Sequence, residues 1–343
     1  IYYLREKAAI MRVTWLWLGL MIALGAYGIF QHVHGLLWQE MAWLLTEGNA
    51  QTHILGGYVR VFSTVGDAAT FGFLMIMGTL MAFALAPALR GPRQWLLIAS
   101  TLPMLYALVV SYSRGPMVAL AAGAAAMILA SRNWRLGLAL SAVGGLGLVL
   151  LIASGSTKLV DRLATATNPT EDASWNVRMG YVTTYLPEIA KRPFGFGVNT
   201  SGGGALRVAR GAQVRKSVVG VPTDNYYFKV ALELGWVGLG LWVWLQALAL
   251  AYGYRVYRAT ADPQLKAVAL GLLSVLACLA VGALSNDIIA QKPISEYYWM
   301  SLGLLVLIGQ HASARSDGVP LGSLRPAGFQ PPAAARPTAP ETG

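Results

Sequence analysis

Residues 68–89 read AATFGFLMIMGTLMAFALAPAL, a run of 22 residues without a charged side chain. A helix that crosses the hydrocarbon core of a bilayer needs about 20 mostly apolar residues. By this criterion the sequence contains eight predicted spans, near residues 11–30, 68–89, 94–112, 116–131, 136–154, 235–254, 266–285 and 295–311. The pattern predicts an all-α fold, a polytopic bundle of transmembrane helices.

The composition of the chain excludes the soluble classes of protein. Of its 343 residues, 56% are apolar and 12% are charged, and the mean hydropathy is +0.53. A soluble domain carries about 25% charged residues, so half of the usual complement is absent. The net charge of +11 does not indicate a nucleic-acid partner, because basic residues also collect in the cytoplasmic loops of membrane proteins.

The sequence offers little for a disulfide or a metal site. Cys278 is the only cysteine, so no disulfide can form within the chain, nor a site built from several thiolates. His32 and His34 resemble a metal-binding pair, but no third ligand follows at a suitable spacing. We interpret these histidines as part of an interfacial loop, and we expect neither a metal nor a cofactor.

Basic residues between the predicted spans define the topology. Thirteen of them lie at one set of span ends, whereas the three short loops on the opposite side hold Arg60, Arg114 and Lys292 alone. The positive-inside rule therefore predicts that both ends of this chain face the cytoplasm. Residues 312–343 are rich in proline and alanine and are predicted to form a disordered cytoplasmic tail after a membrane domain at 1–311.

One predicted outer loop, residues 155–234, is far longer than the others. It contains ten lysines and arginines against six acidic residues, which suits an anionic ligand. Within it, between residues 174 and 191, apolar side chains recur at a spacing near 3.6, at Trp175, Met179, Val182, Leu186 and Ile189. This spacing predicts an amphipathic helix on the membrane surface.

The notable charges stand at the outer ends of the spans rather than within them. They are Arg60, Asp67, Arg114, Arg178, Arg192, Asp224 and Asp287. Transporters and pumps place charges inside the helix bundle, so this distribution favours chemistry at the outer membrane–water interface. A transporter remains the alternative from a different functional class.

Arg114 has two interpretations. Gly115 and Pro116 are predicted to be the cap and the first position of the fourth span. A cation at a helix N-terminus opposes the macrodipole, an arrangement that makes sense if an anion binds there. Alternatively, Arg114 reaches phospholipid headgroups at the interface. The same choice applies to Arg178 on the polar side of the amphipathic helix.

Asp224, in the stretch PTDNYY at 222–227, also has two interpretations. It is either the N-cap of the following helix or a general base, with Asn225 as the cap. Tyr226, Tyr227 and nearby basic residues would surround such a base. Further along, Gly235, Gly238 and Gly240 are interpreted as sites of close helix packing.

Four stretches occur in an order typical of one family. They are a stretch that contains Arg60 and precedes a helix (60–67), Ser113-Arg114-Gly115 before a small-residue helix, an arginine helix closed by a Pro–Gly turn (176–197), and Asp224-Asn225-Tyr226 leading to a Glu-x-Gly-x-x-Gly stretch (224–239). Together with the long outer loop, they resemble the O-antigen ligase and Wzy-type polymerase superfamily of bacterial membrane glycosyltransferases over roughly residues 55–310.

The resemblance implies a GT-C-like bundle in the bacterial inner membrane with its site facing the periplasm. There a glycan on undecaprenyl diphosphate would be transferred, with inversion and without a metal, to a hydroxyl of a glycan or lipid A-core acceptor. Asp224 would be the base, and Arg114 and Arg178 would neutralise the diphosphate. The implied substrate-binding residues are Arg60, Arg192, Asn225 and Tyr226. Membrane lipids are the other expected partners, and nucleic acid is not.

The departure from the family pattern lies at Asp224. Ligases that complete lipopolysaccharide carry a histidine there, so the resemblance favours a polymerase-type activity, with an inactive scaffold as another alternative. Family members are longer, and this chain begins at Ile1 rather than at a methionine. We therefore expect further helices upstream.

Overall fold

The fold is a helix bundle, seen here in a computed structural model that describes residues 6–46, 53–55, 58–133, 136–137, 173–202 and 223–316. The helices are α1 (Lys7–His34), α2 (Trp38–Leu44), α3 (Ala68–Leu85), α4 (Pro92–Ala99), α5 (Thr101–Val110), α6 (Arg114–Ser131), α7 (Ala173–Ala190), α8 (Tyr226–Ala259), α9 (Pro263–Gly282) and α10 (Ile294–Ser316). Two short strands, β1 (Ile54–Leu55) and β2 (Tyr58–Val59), pair antiparallel with Ile54 opposite Val59. The predicted all-α polytopic class is confirmed.

Within the described residues, six helical segments are long and apolar enough to cross a membrane. They are Lys7–His34, Ala68–Ala88, Pro92–Val110, Arg114–Ser131, Tyr226–Ala259 and Pro263–Gly282. The predicted span at 295–311 forms α10, which is not among the six. The predicted span at 136–154 lies outside the described residues except for Leu136 and Gly137. The total of eight spans therefore stays a prediction.

Helix α3 is the centre of the bundle, and nearly all of its side chains are buried. It packs against α1, α5, α6 and α9, and glycines on these neighbours allow close approach. A Cβ added at Gly28 would lie 2.4 Å from Phe71 Cζ, and one at Gly123 would lie 2.5 Å from Leu80 Cδ1. Small residues at such crossings let backbones pack closely, the common solution in membrane bundles.

Helix α8 shows the opposite distribution of apolar side chains. Leu241 and Trp244 lie on its outer face, with exposed fractions of 59% and 61%. Such a face is suited to contact with a bilayer, because lipid tails are as apolar as these side chains. The central α3 and the outward-facing α8 together describe a multi-pass membrane protein.

The structure corrects several predicted boundaries. Helix α8 begins at Tyr226 rather than at 235, so the long connection ends before residue 226. His32 and His34 lie in the last turn of α1 and not in a loop. The last helix continues to Ser316 rather than ending at 311. The predicted amphipathic helix at 174–191 is present as α7, but the rest of the loop and the C-terminal tail lie outside the described residues.

Candidate active site

Most of the singled-out charges meet at one end of the bundle, which we name the arginine end. Helices α3, α6, α8 and α10 begin there, and α1, α5 and α9 finish there. Contacts between these termini show that they share one end. The Tyr226 N–H donates to Ala283 O at 2.8 Å, joining the start of α8 to the end of α9. The Thr70 hydroxyl donates to Gln291 Oε1 at 2.6 Å, joining the start of α3 to the segment before α10.

Arg60 connects the segment before α3 to the segment before α6. Its Nε donates to Ser111 O at 3.2 Å, and its Nη2 donates to Ser113 Oγ. The Val61 N–H adds a bond to Val110 O at 3.4 Å. The half-buried guanidinium of Arg60 therefore holds the residues that immediately precede Arg114.

A buried amide holds the Arg60 segment in place. Gln31 on α1 donates from Nε2 to Ser63 O at 3.1 Å and accepts at Oε1 from the Ser63 N–H at 2.7 Å. Gln31 Nε2 also donates to Glu40 Oε1 at 2.7 Å, which ties α2 to the same network. Ser63 has a positive φ of 53°, a backbone conformation that these two bonds stabilise. The sequence alone gave no sign of this network.

Arg114 is the first residue of α6, with Ser113 as the N-cap. The prediction that Gly115 and Pro116 are the cap and first position was therefore wrong by two residues. The Ser113 hydroxyl accepts from Arg60 and makes no capping bond to the described backbone of α6. A Cβ at Gly115 would lie 2.5 Å from Ser285 Oγ, so the start of α6 presses against the segment that follows α9.

Asn225, rather than Asp224, is the N-cap of α8. Its Oδ1 accepts from the N–H groups of Tyr227 at 2.9 Å and of Phe228 at 3.1 Å. The capping interpretation of Asp224 is therefore wrong, and Asp224 is an exposed carboxylate just before the helix. The Tyr226 ring packs edge-on against Trp242 with centroids 5.1 Å apart.

Asp287 was predicted to lie among the charges at the outer span ends, but no role in the site was assigned to it. It is half-buried, and its Oδ1 accepts from Gln291 Nε2 at 2.6 Å. Burial raises the pKa of the Asp287 carboxyl, and the negative charge of Asp224 raises it further, although Gln291 and the charge of Lys229 act in the opposite direction. The two carboxylates are therefore neighbours at the start of α8.

Helix α7 carries Arg178 and is anchored on the first part of α8. Ile189, which is fully buried, packs with Ala231 and Leu232, while Met179 and Leu186 on the predicted apolar side stay exposed. The side chain of Arg178 lies outside the described part of α7. Arg192, just past the end of α7, lies over the Phe196 ring at 4.5 Å from its centroid.

The Pro–Gly turn after α7 fits into a kink of α8. The Phe196 N–H donates to Leu232 O at 2.9 Å, and the Gly197 N–H donates to Glu233 O at 3.0 Å. Gly235 adopts φ 68°, and a Cβ there would lie 2.1 Å from Pro193 O. Gly235 is thus required for a left-handed backbone and for contact with a loop, not for helix packing as predicted. It lies about 14 Å along α8 from Tyr226 by helical rise.

Below the turn, three polar side chains form a buried cluster that the sequence analysis did not find. Glu233 Oε1 accepts from Ser201 Oγ at 2.6 Å, from the Ser201 N–H at 3.2 Å and from Lys229 Nζ at 3.0 Å. Lys229 Nζ also donates to Ser201 O at 3.2 Å. The i,i+4 spacing of Lys229 and Glu233 was the available signal for the pair. The partner Ser201 is distant in sequence and gave none.

The contacts divide the predicted site residues into two groups. Arg60 is bonded to Ser113, the N-cap that precedes Arg114, and Asp224 acts on Asp287 at the start of α8. Arg192 belongs to the second group, at the kink of α8. The described residues contain no group of three or more histidine, cysteine or acidic side chains that could hold a metal ion.

The fold and the arginine end define a multi-pass membrane protein with a charged, hydrogen-bonded end. The family model of the O-antigen ligases matches residues 99–243, a region that contains Arg114, Arg178, Arg192 and Asp224. An O-antigen polymerase of Salmonella muenchen is 24% identical over 191 residues, which cover 53% of this chain and 44% of that relative. The match thus spans less than half of the relative's length. Both matches confirm the resemblance to the O-antigen ligase and Wzy-type polymerase superfamily.

Proposed function

We propose that this chain is a membrane glycosyltransferase of O-antigen or related surface-polysaccharide assembly. It transfers a glycan from undecaprenyl diphosphate to an acceptor hydroxyl at the arginine end, which faces the periplasm of a bacterial inner membrane. The observation that carries the proposal is the cross-linking of several helix termini by charged and neutral polar groups at one end. That end includes residues matched by the O-antigen ligase family model.

Asp224 acts as the general base. Its carboxylate takes the proton of the acceptor hydroxyl while the hydroxyl oxygen attacks the anomeric carbon, and the bond from that carbon to the diphosphate breaks with inversion. The structure supports this role because Asn225 already caps α8, which leaves Asp224 exposed at the helix start. Asn225 and Tyr226 lie next to it in the chain and contact the acceptor.

Arg114 neutralises the charge that develops on the departing diphosphate. A guanidinium beside the N–H groups at the start of a helix is suited to an anion. Arg60 positions this residue through Ser113 and contributes its own positive charge to substrate binding. Arg178 and Arg192 supply further positive charge from α7 and the turn that follows it. With arginines in this role, the transfer needs no divalent metal.

Within the superfamily, we propose a polymerase-type activity that joins repeat units on the carrier lipid. Two observations support it over a ligase. Asp224 stands where the ligases of lipopolysaccharide carry histidine, and the similar protein of Salmonella muenchen is described as an O-antigen polymerase. The acceptor is then the terminal sugar of another lipid-linked glycan rather than lipid A-core.

The test is a glycan gel from the native host after deletion of the gene, complemented with the full-length wild type or with Asp224→Ala. We expect wild type to restore a ladder of polymer and Asp224→Ala to leave single repeat units. Glu188→Gln, on the partly exposed side of α7 next to Lys191, removes a carboxylate outside the proposed machinery and should restore the ladder.

Other outcomes point to other functions. Full-length polymer retained on the carrier lipid in the Asp224→Ala strain identifies a ligase. A lipid-linked donor trapped on the cytoplasmic side identifies a transporter. If Asp224→Ala and Arg114→Ala both restore the wild-type ladder, the assigned residues are wrong and a scaffold role replaces the enzyme.

A further inference from the structure

The Ser201–Lys229–Glu233 cluster joins two parts of the chain that are distant in sequence. Lys229 and Glu233 belong to α8, and Ser201 belongs to the connection after α7. Ser201 is 1% exposed and Glu233 is 8% exposed. Burying a carboxylate and an ammonium is costly unless each is paired and hydrogen-bonded, and here the two are paired with each other and with Ser201.

The cluster holds a particular segment in place. We name residues 192–202 the arginine segment, because it begins at Arg192, two residues past the end of α7, the helix that carries Arg178. One side of the segment is held by backbone bonds from Phe196 and Gly197 to α8. Its far end is held by Ser201, whose hydroxyl donates to Glu233 and whose carbonyl oxygen accepts from Lys229, both on α8. A loop secured at both ends has few orientations available to its arginine.

Lys229 also links this attachment to the carboxylates at the start of α8. It lies in the first turn of α8, between Asp224 and Glu233 in the sequence, and its positive charge acts on Asp287. The same ammonium group is within hydrogen-bond distance of Ser201 O and Glu233 Oε1. The ammonium group that helps to hold the arginine segment therefore also interacts electrostatically with the end of the bundle that contains Asp224.

We infer that Ser201, Lys229 and Glu233 are positioning residues of the donor site, which hold the arginine segment against α8 so that Arg192 meets the donor diphosphate. This inference rests on the proposed transfer function. The three side chains need not touch the substrate themselves. Their role is to remove, before the donor binds, the orientational freedom of the segment that would otherwise be lost on binding.

The test uses the full-length protein in lipid nanodiscs and a graded set of variants. Glu233→Ala removes the acceptor shared by all partners, Ser201→Ala removes only the hydroxyl, and Glu233→Gln and Ser201→Thr keep a hydrogen-bonding group. We expect hydrogen exchange at 193–202 to accelerate in the order Glu233→Ala, Ser201→Ala, Glu233→Gln, with Ser201→Thr near wild type. Exchange in α9 should stay unchanged.

Kinetics with an undecaprenyl-diphosphate-linked repeat unit separate positioning from folding. For Ser201→Ala, which keeps the ion pair of Lys229 and Glu233, we expect KM for the donor to rise about 10-fold with kcat within about 3-fold. A folding defect would instead lower kcat through the active fraction and leave KM unchanged. Ser201→Thr should recover the wild-type KM, and Glu188→Gln on α7 is the control.

The outcomes distinguish this inference from the proposed function. A wild-type protein that does not turn over the donor contradicts the function itself. An active wild type whose Ser201→Ala variant keeps its KM and its exchange rates overturns the positioning role. Faster exchange at 193–202 without a change in KM overturns it too, because the segment would then be held for stability alone. If Glu233→Ala does not fold, Ser201→Ala decides between these results.

Discussion

The two ends of the helix bundle use their charges in different ways. At the end opposite to the arginine end, Lys7 Nζ pairs with Asp262 Oδ2 at 2.6 Å, and Asp262 caps α9 by accepting from the Gln264 and Leu265 N–H groups. These contacts cap α9 and join its start to the start of α1 through an ion pair. At the arginine end, charged and amide groups join several helices, as Arg60 joins Ser113 to the segment before α3. This network connects α1, α2, the segment before α3 and the start of α6, and it is the basis on which the site is proposed there.

Arg114 is the first residue of α6 and Arg132 follows its last residue, so the two arginines lie at opposite ends of one helix. Substituting them is expected to give the largest difference between the two ends of the bundle. Arg114→Asn removes the guanidinium at the arginine end, and transfer should fall about 100-fold or more because the diphosphate loses its main neutralising charge. Arg132→Asn makes the same chemical change at the other end, where φ is 52° and asparagine is tolerated. Transfer by Arg132→Asn should stay within about 3-fold of wild type. Equal losses in an assay of lipid-linked repeat units would contradict the distinction between the ends.

A second contrast lies within α8, at Gly235 and Gly240. Gly235→Ala places a Cβ against Pro193 O in a left-handed backbone, which should cost about 1–3 kcal/mol and release the turn after α7. Gly240 has open space around it, so Gly240→Ala should be neutral or slightly stabilising. Apparent melting temperatures in detergent compare the two variants. A Gly235→Ala protein as stable as Gly240→Ala would mean that the turn does not depend on the kink.

Much of the fold could be predicted because its signals are local. The charge-free run at 68–89 predicted the central helix, and the apolar spacing from Trp175 to Ile189 predicted α7 within one residue of its observed bounds. The start of α8 was placed too late because Lys229 and Glu233 interrupt the apolar run. They are tolerated in the buried first part of α8 because they pair with each other and with Ser201, a contact with no local signal.

The candidate site could be predicted only in part, because contacts between residues distant in sequence leave no local signal. Arg60, Arg114 and Asp224 stand out as charges at span ends, and the choice between Asp224 and Asn225 as the cap needed the observed bonds of Asn225 Oδ1. Gln31, Gln291 and Ser201 are ordinary polar residues in the sequence. They matter because they bond to residues 32 to 221 positions away, and a single sequence does not show which distant residues are in contact.

At the opposite end, the ion pair of Lys7 and Asp262 should affect stability and not transfer. Its side chains are 42% and 22% exposed, so Asp262→Asn, which keeps a capping side chain, should cost about 0.5–1 kcal/mol. Burial raises the pKa of Asp262, but the bond from Lys7 and the backbone donors outweigh it and leave the pKa below its usual value. The pair therefore stabilises the protein above the unfolded-state pKa near 4, and the contribution is lost as pH falls through the lower folded-state pKa. Thermal unfolding at pH 7 and at acidic pH checks this.

The smallest effect is expected from Asp287→Asn at the arginine end. The raised pKa of Asp287 means that its ionised form is disfavoured in the folded protein. At pH values above that pKa, ionisation of the partly buried carboxyl lowers the stability of the folded wild type, whereas the neutral asparagine has no such cost. The variant should therefore melt on the order of 1–2 °C higher. The difference should disappear as pH falls through the raised pKa, where Asp287 takes up a proton. A gap that widens at low pH has the wrong sign for a raised pKa.

The proposal that the arginine end transfers a glycan can be tested with purified protein in nanodiscs and an undecaprenyl-diphosphate-linked repeat unit. The quantity to measure is the rate of release of undecaprenyl diphosphate, by mass spectrometry, for wild type and Asp224→Asn, together with the affinity of each for the donor. We predict release by the wild type, release at least about 100-fold slower by Asp224→Asn, and donor affinities within about 3-fold of each other. Equal release by the two proteins would contradict the assignment of Asp224 as the base, and absence of release by the wild type would contradict glycosyl transfer by this chain.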